Sequence, residues 1–340
     1  MSWFDLAGRN LISEVDWTRE EYDIAMKVAD QLKGAYYSRK PHRTLEDKTF
    51  AMMFFAGSTR TRMSFETGMT QLGGHAQFIN PSTMRLSLED KPGAGETVKD
   101  TAKAMARFCD GIGIRLLDDA IDRYGFADEV MRRFGEHAEV PVINMASDIN
   151  HPCQSLTDIY TMHEKLEGDV KGKKIVIMWA YTPWIRGLCS VQGTALISSM
   201  YGMDVVVAHP PEYDMDPRVM QQCRDLANAS DGRFTVENDL DKALEGATVV
   251  FPRNWFTMDR YEIGKEKEHE IALKYKDWSY TAEKQALTDP GHLLQCMPVD
   301  RGHEASPEVC DNDRSWIYDQ AENRLHTQKA IMTLTMGGRL

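Results

Sequence analysis

Closely spaced cysteines and long apolar runs are both absent from the sequence. Its 340 residues include six cysteines, scattered singly without a CxxC pair, which excludes the common zinc and dithiol redox motifs and the disulfide frameworks of small secreted domains. The longest apolar runs, near residues 175–180 and 204–208, are far shorter than the ~20 residues of a membrane-spanning helix. The amino terminus has no basic segment followed by an apolar one, as secretory signals do. We therefore expect a cytoplasmic protein with reduced thiols and no membrane contact.

Positive charge is in deficit, because 40 Lys and Arg residues stand against 52 Asp and Glu residues and give a net charge of −12. Such a composition disfavours sequence-independent binding to nucleic acids or to anionic membranes. The glycine patterns GxGxxG and GxxxxGK followed by Ser or Thr are missing as well, which argues against dinucleotide-dependent dehydrogenases and P-loop enzymes. Any basic binding site must therefore be confined to a small part of the protein surface.

The alternation of short apolar runs with helical segments predicts an α/β fold. We expect strands near residues 50–55, 111–114, 140–143, 174–179, 204–208, 248–251 and 293–296, and helices near residues 18–34, 96–108, 188–201, 217–230, 239–245 and 321–336. The length is about twice that of a usual domain. We predict two doubly wound parallel-sheet domains joined by helices, residues 1–150 with the terminal helix 320–340 packed back on them, and residues 151–319.

A segment rich in hydroxyl and guanidinium groups follows the strand expected at residues 50–55. It contains, at the expected start of a helix, Ser58, Thr59, Arg60, Thr61 and Arg62. Backbone N–H groups at a helix start, three hydroxyls and two guanidinium groups make a receptor for an oxyanion such as phosphate. The alternative interpretation is that Ser58 only caps the helix and that the two arginines form surface ion pairs.

Other polar residues lie at further strand ends, and in α/β proteins that edge of the sheet binds ligands. His151 and Gln154 open a helix and offer donors suited to a carbonyl or acyl oxygen. Comparable positions are held by Arg115, by Cys296 with Met297, and by Arg324. Each alone is more often a cap, a core residue or a solvated charge, so the prediction of a site depends on their convergence.

Taken together, these segments resemble the aspartate/ornithine carbamoyltransferase family. The similarity runs in order from about residue 20 to residue 336 and rests on residues 58–62, Ser64-Phe65-Glu66, Gln71-Leu72-Gly73-Gly74, Glu96-Thr97 with Asp100-Thr101, His151-Pro152-Cys153-Gln154, Cys296-Met297-Pro298 and Glu322-Asn323-Arg324. The resemblance implies that carbamoyl phosphate binds between the two domains. It assigns phosphate contacts to Ser58, Thr59, Arg60, Thr61 and Arg115. It assigns the carbamoyl group to His151, Gln154, Arg324 and backbone groups of Cys296 and Met297.

The chemistry of carbamoyl transfer suits these residue types. Attack of an amine on carbamoyl phosphate builds negative charge on the carbonyl oxygen and then on the departing phosphate. We expect His151, Arg60, Thr61 and Arg115 to stabilise that charge as the catalytic residues. The amine attacks directly, so no protein nucleophile, metal or cofactor is expected. The residues suit either direction, carbamoylation of an amine or phosphorolysis of a ureido compound.

The acceptor-binding segments depart from the ornithine pattern. Arg253 stands where ornithine enzymes carry Asp, and Gln295 replaces the usual His before the Cys-Met-Pro segment, while the Pro-Leu-Pro-Arg segment of aspartate enzymes is also missing. A guanidinium group favours a carboxylate, so the resemblance implies an amino acid or N-acyl amino acid as acceptor, bound by Arg253 with Met297. The alternative is that Arg253 pairs internally with Asp259 or Glu262.

Residues 179–188 are similar to the knotted branch of the family, which includes N-acetylornithine carbamoyltransferase and relatives of unassigned substrate. This similarity implies a trefoil-type knot in the second domain, with an ordinary Pro-containing loop as the alternative. It makes Trp184 a loop anchor or a wall of the acceptor site. The N-acetylornithine enzyme carries a Trp in the loop that corresponds to residues 80–95, and this sequence has none there.

The family forms trimers, so the resemblance implies a homotrimer. Residues 80–95 are long for a connection and carry Arg85 and Lys91, which we expect to enter the site of the neighbouring subunit. The alternative is a mobile surface loop with solvated charges. The alternative function for the whole protein is that of a regulatory relative that binds phosphate without catalysis. Such a protein would not need His151, Gln154 and Arg324, which are all present. The partners we expect are carbamoyl phosphate and a small amine, without nucleic acid.

Overall fold

The computed structural model describes residues 6–117 and 120–338. They form two compact units, one of residues up to Leu156 and from Asn323 onward, the other of residues 157–322. The chain passes from one unit to the other within two helices, Pro152–Lys165 and Ile317–Thr335. Within the described ranges, no helix is both long enough and apolar enough to cross a membrane.

Each unit is built on one parallel sheet. The strands are β1 Thr49–Phe54, β2 His75–Ile79, β3 Gly111–Arg115, β4 Val142–Ala146, β5 Lys174–Trp179, β6 Asp204–Ala208, β7 Arg233–Glu237, β8 Val249–Arg253 and β9 His292–Leu293. The first sheet has the order β2-β1-β3-β4 and the second the order β7-β6-β5-β8-β9. Every pairing in both sheets is parallel, which confirms an α/β fold with two parallel sheets.

Helices connect the strands. They are α1 Arg19–Tyr37, α2 Thr59–Gln71, α3 Val98–Met105, α4 Phe126–His137, α5 Pro152–Lys165, α6 Cys189–Met200, α7 Pro217–Ala229, α8 Leu240–Leu244, α9 Arg260–Ile263, α10 Lys265–Ala272, α11 Ala282–Gln285, α12 Pro307–Cys310 and α13 Ile317–Thr335. Short 3-10 turns occur at Glu14–Asp16, Pro81–Thr83 and Leu273–Tyr275.

A capping box formed by Thr18 and Glu21 starts α1. The Thr18 hydroxyl accepts a hydrogen bond from the Glu21 N–H at 3.3 Å, and the Glu21 carboxylate accepts one from the Thr18 N–H at 2.8 Å. The apolar positions at helical spacing, among them Ala25, Val28 and Leu32, are buried. The helix ends at Tyr37 rather than at residue 34.

Two strands were not expected from the sequence, β2 and β7. Both lie at sheet edges, where three of the five side chains in each strand are exposed, so their sequences HAQFI and RFTVE carry too little apolar character to stand out. Central strands such as β1 and β5 are buried on both faces and are near-continuous apolar runs, which is why the sequence reveals them.

Parallel order brings the carboxyl ends of neighbouring strands to one edge. In the first unit, β1, β3 and β4 all end at this edge, with Phe54 in register with Arg115 and Arg115 in register with Ala146. In the second unit, Trp179 of β5 is in register with Arg253 of β8. The loops that follow these strands therefore hold the candidate site residues of each unit.

Candidate active site

The amino end of α2 presents hydroxyl and guanidinium groups at the edge of the first sheet. Ser58 is the N-cap residue, and its hydroxyl accepts a hydrogen bond from the Thr61 N–H at 3.2 Å. Thr61 is buried and Arg60 is exposed. Arg62 instead donates to Glu66 at 2.9 Å and stacks on Phe78 at 3.9 Å. The alternative interpretation from the sequence is therefore correct for Arg62, which forms a surface ion pair, and Ser58 does cap the helix.

Arg324 joins α13 to the two other helices of this edge. Its guanidinium group donates to the Gln154 carbonyl oxygen at 2.5 Å and to the Thr61 hydroxyl at 3.3 Å. All three residues are buried and belong to the first unit. The structure therefore brings together residues that are distant in the chain. Thr61 and Gln154 are 93 positions apart, and Gln154 and Arg324 are 170 positions apart.

His151 lies at the start of α5, where its carbonyl group accepts the first helical hydrogen bonds, from Gln154 at 2.8 Å and Ser155 at 3.1 Å. Its own N–H donates to the Glu14 carboxylate at 2.9 Å, and the Ser155 hydroxyl donates to the same oxygen at 2.8 Å. Glu14 is fully buried, and burial raises the pKa of its carboxyl group to about 7 although these hydrogen bonds lower it. Glu14 thus holds the backbone of the residue most suited to polarise a carbonyl group.

The turn between β4 and His151 is fixed by buried polar contacts. The Asn144 amide donates to the Ser147 hydroxyl at 3.1 Å and to the Asn150 carbonyl at 3.2 Å. The Asn150 amide donates to Asp128 at 2.7 Å. Asp148 accepts the Gly125 N–H at 2.5 Å, and burial raises the pKa of its carboxyl group to about 6. A buried polar network of this kind favours one conformation of the turn.

Arg115 completes the edge of the first sheet. It is half-buried at the end of β3, its Nη1 lies 3.4 Å from the Met145 carbonyl oxygen, and its carbonyl oxygen accepts the Phe55 N–H at 2.9 Å. This last bond ties β3 to the loop that leads to Ser58. The predicted residues of the first unit therefore converge on one sheet edge: Ser58, Thr59, Arg60, Thr61, Arg115, His151, Gln154 and Arg324.

In the second unit, Arg253 ends β8 and is buried. Its Nη1 donates to the Pro298 carbonyl oxygen at 3.1 Å and lies 4.0 Å from the Glu304 carboxylate. The acid nearest to Arg253 is thus Glu304, rather than Asp259 or Glu262 as the alternative interpretation held. No sequence pattern indicates this contact, because 51 positions separate the two residues.

Gln295 has an internal role in the segment that follows β9. Its amide nitrogen donates to Glu304 at 3.2 Å, and its carbonyl oxygen accepts the Met297 N–H. Cys296 is buried and Met297 is partly buried with a positive φ of 48°. The N–H of Met297 is therefore engaged within the loop.

The loop after β5 runs beside β8. The Asn254 side chain donates to the Ala180 carbonyl oxygen at 3.0 Å and accepts the Arg186 N–H at 3.1 Å. Arg186 lies with its Nε 3.4 Å from Glu304. Trp184 is 72% exposed, so it does not anchor this loop in the core of its own unit.

The loop of residues 80–95 in the first unit is largely exposed. Lys91 pairs with Glu89 at 2.6 Å, and Arg85 contributes its carbonyl oxygen to a hydrogen bond from Glu96 at 2.5 Å. Both side chains are exposed. Neither residue joins the cluster around Arg324 within its own unit, so their predicted role in a neighbouring subunit stays a prediction.

Three polar residues of these edges were not assigned any role from the sequence: Glu14, Arg186 and Glu304. Each is a charged residue with a largely or fully buried side chain, which is uncommon without a partner. No local pattern distinguishes them, since their partners lie far away in the chain. Only the fold identifies them.

Comparison with known families matches the whole described architecture. Residues 9–164 match the carbamoyl-P binding domain of aspartate/ornithine carbamoyltransferase, and residues 171–335 match the Asp/Orn binding domain of the same family. The chain is 38% identical over 335 residues to the ornithine carbamoyltransferase of Thermococcus kodakarensis, with 98% of each chain covered. It is 37% identical to the anabolic ornithine carbamoyltransferase of Pyrococcus furiosus, again with 98% of each chain covered.

Solved structures give the same picture for the fold. An acetylornithine transcarbamylase complexed with acetylcitrulline superposes with a TM-score of 0.90 at 32% identity, covering 96% of this chain and 98% of the other. A mutant N-acetyl-L-ornithine transcarbamylase complexed with carbamyl phosphate and N-succinyl-L-norvaline also has a TM-score of 0.90 at 32% identity, covering 96% and 99%. Sequence relatives and structural relatives therefore point to different acceptors within one reaction class.

Proposed function

The chain belongs to the aspartate/ornithine carbamoyltransferase family and is a carbamoyltransferase, and we propose that the carboxyl edge of its first sheet binds carbamoyl phosphate. The observation that carries this proposal is the pair of hydrogen bonds from Arg324 to Gln154 and Thr61. These bonds fix, in a buried position, side chains from three helices that the sequence resemblance assigns to the substrate. Such preorganised donors act without reorganisation when charge develops.

The phosphate group is bound by the amino end of α2 and by the end of β3. Backbone N–H groups at the start of this helix, together with the hydroxyls of Ser58, Thr59 and Thr61, donate to the phosphate oxygens. Arg60 and Arg115 contribute charge-assisted hydrogen bonds. Support comes from the exposure of Arg60 beside the buried Thr61 and from the hydrogen bond that joins β3 to this loop.

The carbamoyl group is bound by a second set of residues. His151 and Arg324 donate to its carbonyl oxygen, and the Gln154 carbonyl oxygen, oriented by Arg324, accepts from its NH2 group. Backbone groups of Cys296 and Met297 belong to the same assignment. Support for a fixed His151 comes from the Glu14 carboxylate, which holds the His151 N–H at 2.9 Å.

The reaction needs only bound reactants and fixed donors. The acceptor nitrogen forms a bond to the carbamoyl carbon, the bond from that carbon to the phosphate oxygen breaks, and the amine proton passes to the departing phosphate. His151, Thr61, Arg60 and Arg115 stabilise the negative charge that forms first on the carbonyl oxygen and then on phosphate. No metal or cofactor takes part in this scheme.

The acceptor is an amino acid or N-acyl amino acid with a carboxylate, and Arg253 binds that carboxylate. A guanidinium group repels a free α-ammonium group and pairs with a carboxylate through two parallel hydrogen bonds. Arg253 is buried at the carboxyl end of β8 and has one carbonyl oxygen as its hydrogen-bond acceptor among the described residues. Met297 and the exposed Trp184 are the other residues assigned to the acceptor.

The remaining expectations extend this proposal to the whole protein. Residues 1–150 with 320–340 form the carbamoyl-phosphate domain and residues 151–319 the acceptor domain, the latter with a knot around the loop of residues 179–188. The enzyme is a cytoplasmic homotrimer in which Arg85 and Lys91 reach the site of a neighbouring subunit. The high similarity to acetylornithine transcarbamylases supports the knotted branch.

Charge reversal at Arg253 tests the acceptor assignment. We expect Arg253→Asp to raise the KM for the carboxylate acceptor by about 10²-fold or more, because an attractive contact becomes a repulsive one, and to leave the KM for carbamoyl phosphate nearly unchanged. Steady-state kinetics with each substrate varied in turn measure both constants. An unchanged acceptor KM, or putrescine as the best acceptor, would show that Arg253 does not bind a carboxylate.

A further inference from the structure

Arg186, Arg253 and Glu304 form a buried charged cluster in the second unit. The Arg186 Nε lies 3.4 Å and the Arg253 Nη1 lies 4.0 Å from the same Glu304 oxygen, Oε1. The Glu304 side chain is fully buried, and those of Arg186 and Arg253 retain 19% and 11% exposure. Two guanidinium groups therefore converge on one carboxylate oxygen, with a narrow part of each still accessible.

Glu304 cannot satisfy both guanidinium groups, because other donors use three of the four lone-pair positions of its carboxylate and leave one, on Oε1. Its Oε1 accepts the Asn254 N–H at 3.0 Å, and its Oε2 accepts the Asp300 N–H at 2.8 Å and the Gln295 amide at 3.2 Å. In the described part of the chain, the buried Nε atoms of Arg186 and Arg253 have no hydrogen-bond partner. Buried donors without acceptors are costly, so the arrangement suits a ligand that brings acceptors.

The charges of the cluster point the same way. Within ion-pair distance, two positive groups face one negative group. The nearby acid Asp300 is bonded to the Thr182 hydroxyl and lies 3.2 Å from His303, and its charge acts on Arg186 only from beyond ion-pair distance. Burial lowers the pKa of Arg186, and the positive charge of Arg253 lowers it further. A buried cluster with one unmatched positive charge is stabilised by a single anion.

We infer that Arg186 is a second acceptor-binding residue and that Arg186 and Arg253 together bind one carboxylate of the acceptor, an inference that rests on the proposed function. A monoanionic carboxylate balances the cluster and supplies four lone-pair positions for the unmatched N–H donors. The planar fork of each guanidinium group matches that geometry. Specificity for amino acids over plain amines then depends on both arginines, and Glu304 sets their separation.

A binding experiment that needs no turnover tests this inference. The ligands are pentanoate and N-acetyl-L-norvaline, each compared with its primary amide, because none of the four has a free amine to be carbamoylated. Isothermal titration calorimetry in the presence of carbamoyl phosphate gives the acid-to-amide affinity ratio. It is measured for the wild type, for Arg186→Gln, for Arg186→Lys and for Arg260→Gln, which removes a different buried guanidinium group that pairs with Glu268 at 3.6 Å.

We expect the wild type and Arg260→Gln to prefer each acid by about tenfold or more, Arg186→Gln to lose that preference, and Arg186→Lys to regain part of it. A purely structural role of Arg186 would instead weaken acids and amides equally. Equal loss for both, no preference in the wild type, or no binding of either acid would overturn the inference.

Failure of the proposed function is a separate outcome. It would appear as the absence of ureido product when the wild type is incubated with carbamoyl phosphate and a panel of amines. The acid-to-amide ratio stays measurable in that case, because it does not depend on the transfer reaction. Product formation with an unchanged ratio in Arg186→Gln would leave the carbamoyltransferase intact and remove only the role of Arg186.

Discussion

Two arginines separated by one residue, Arg60 and Arg62, have different environments. Arg62 is occupied by Glu66 and Phe78 on the surface of α2, whereas Arg60 is exposed on the first turn of the helix, beside the buried Thr61. The sequence predicts the oxyanion site from the whole segment. Residue type alone does not tell the two arginines apart, and only the family resemblance selects Arg60, because the partners of Arg62 depend on where Phe78 of the edge strand β2 lies.

Replacement of Arg60 tests the phosphate assignment. We expect Arg60→Ala to lower kcat by about 10²–10³-fold, equivalent to about 3–4 kcal/mol of transition-state stabilisation, because it removes a charge-assisted contact to the leaving group. The matched control is Arg62→Ala, for which we expect near-normal kcat, since it loses a surface ion pair. Comparable activity of both variants would remove Arg60 from the site.

Glu14 leads to a prediction about pH. Its pKa in the folded protein is about 7 against an ordinary value of 4.5, so its contribution to stability is fully present below about pH 4.5 and is lost as the pH rises through 7. Between pH 5 and pH 8, we expect the wild type to lose about 2–3 kcal/mol of unfolding free energy relative to Glu14→Gln, which cannot ionise. Urea unfolding at both pH values measures this difference.

The matched control for Glu14 is Glu20→Gln, at an exposed position of α1. The difference in unfolding free energy between the wild type and Glu20→Gln should stay nearly constant from pH 5 to pH 8, because this variant keeps Glu14. Parallel pH profiles of the wild type and Glu14→Gln would show that the Glu14 carboxyl group does not titrate in this range. No sequence pattern foretells this behaviour, because the burial of Glu14 and its bonds to His151 and Ser155 arise only when residues 137 and 141 positions apart meet.

Whether the sequence predicts a given helix or strand depends on how deeply that element is buried. Central strands and capped helices such as α1 have a clear period in the sequence, and the order of the motifs along the chain places the site at strand ends. The edge strands β2 and β7 escape prediction because solvent replaces apolar neighbours on part of their surface. The last strand is shorter than expected, since the chain leaves the sheet after Leu293 and turns through the Gln295 to Pro298 segment.

The loop of residues 80–95 is the element for which we propose a role beyond one chain. We expect a double replacement of Arg85 and Lys91 by Ala to lower activity by about tenfold or more, because both cations would be lost from the site of the neighbouring subunit. Sedimentation velocity serves as the control, with both proteins expected to remain trimers. Full activity of the double variant, or a fully active wild-type monomer, would contradict this role of the loop.

At the scale of the whole molecule, the reaction class and the acceptor have different foundations. The class follows from family membership over nearly the entire chain and from the convergence of Thr61, Gln154 and Arg324. The acceptor depends on a few positions of the second unit, where Arg253 and Gln295 depart from the ornithine pattern. The sequence therefore predicts the reaction class, whereas the specificity that we propose rests on the contacts of Glu304, which only the folded chain reveals.

Use of a labelled carbamoyl group tests directly whether the protein transfers it from carbamoyl phosphate to a carboxylate-bearing amine. Wild-type enzyme is incubated with 13C-carbamoyl phosphate and, in turn, ornithine, N-acetylornithine, N-succinylornithine, aspartate, lysine and 2,3-diaminopropionate, and 13C NMR is recorded while released phosphate is assayed. We expect a ureido carbon signal with at least one of these carboxylate-bearing amines, and the release of one phosphate for each ureido group formed. Decay of the label at the uncatalysed rate with every amine, without any ureido signal, would contradict it.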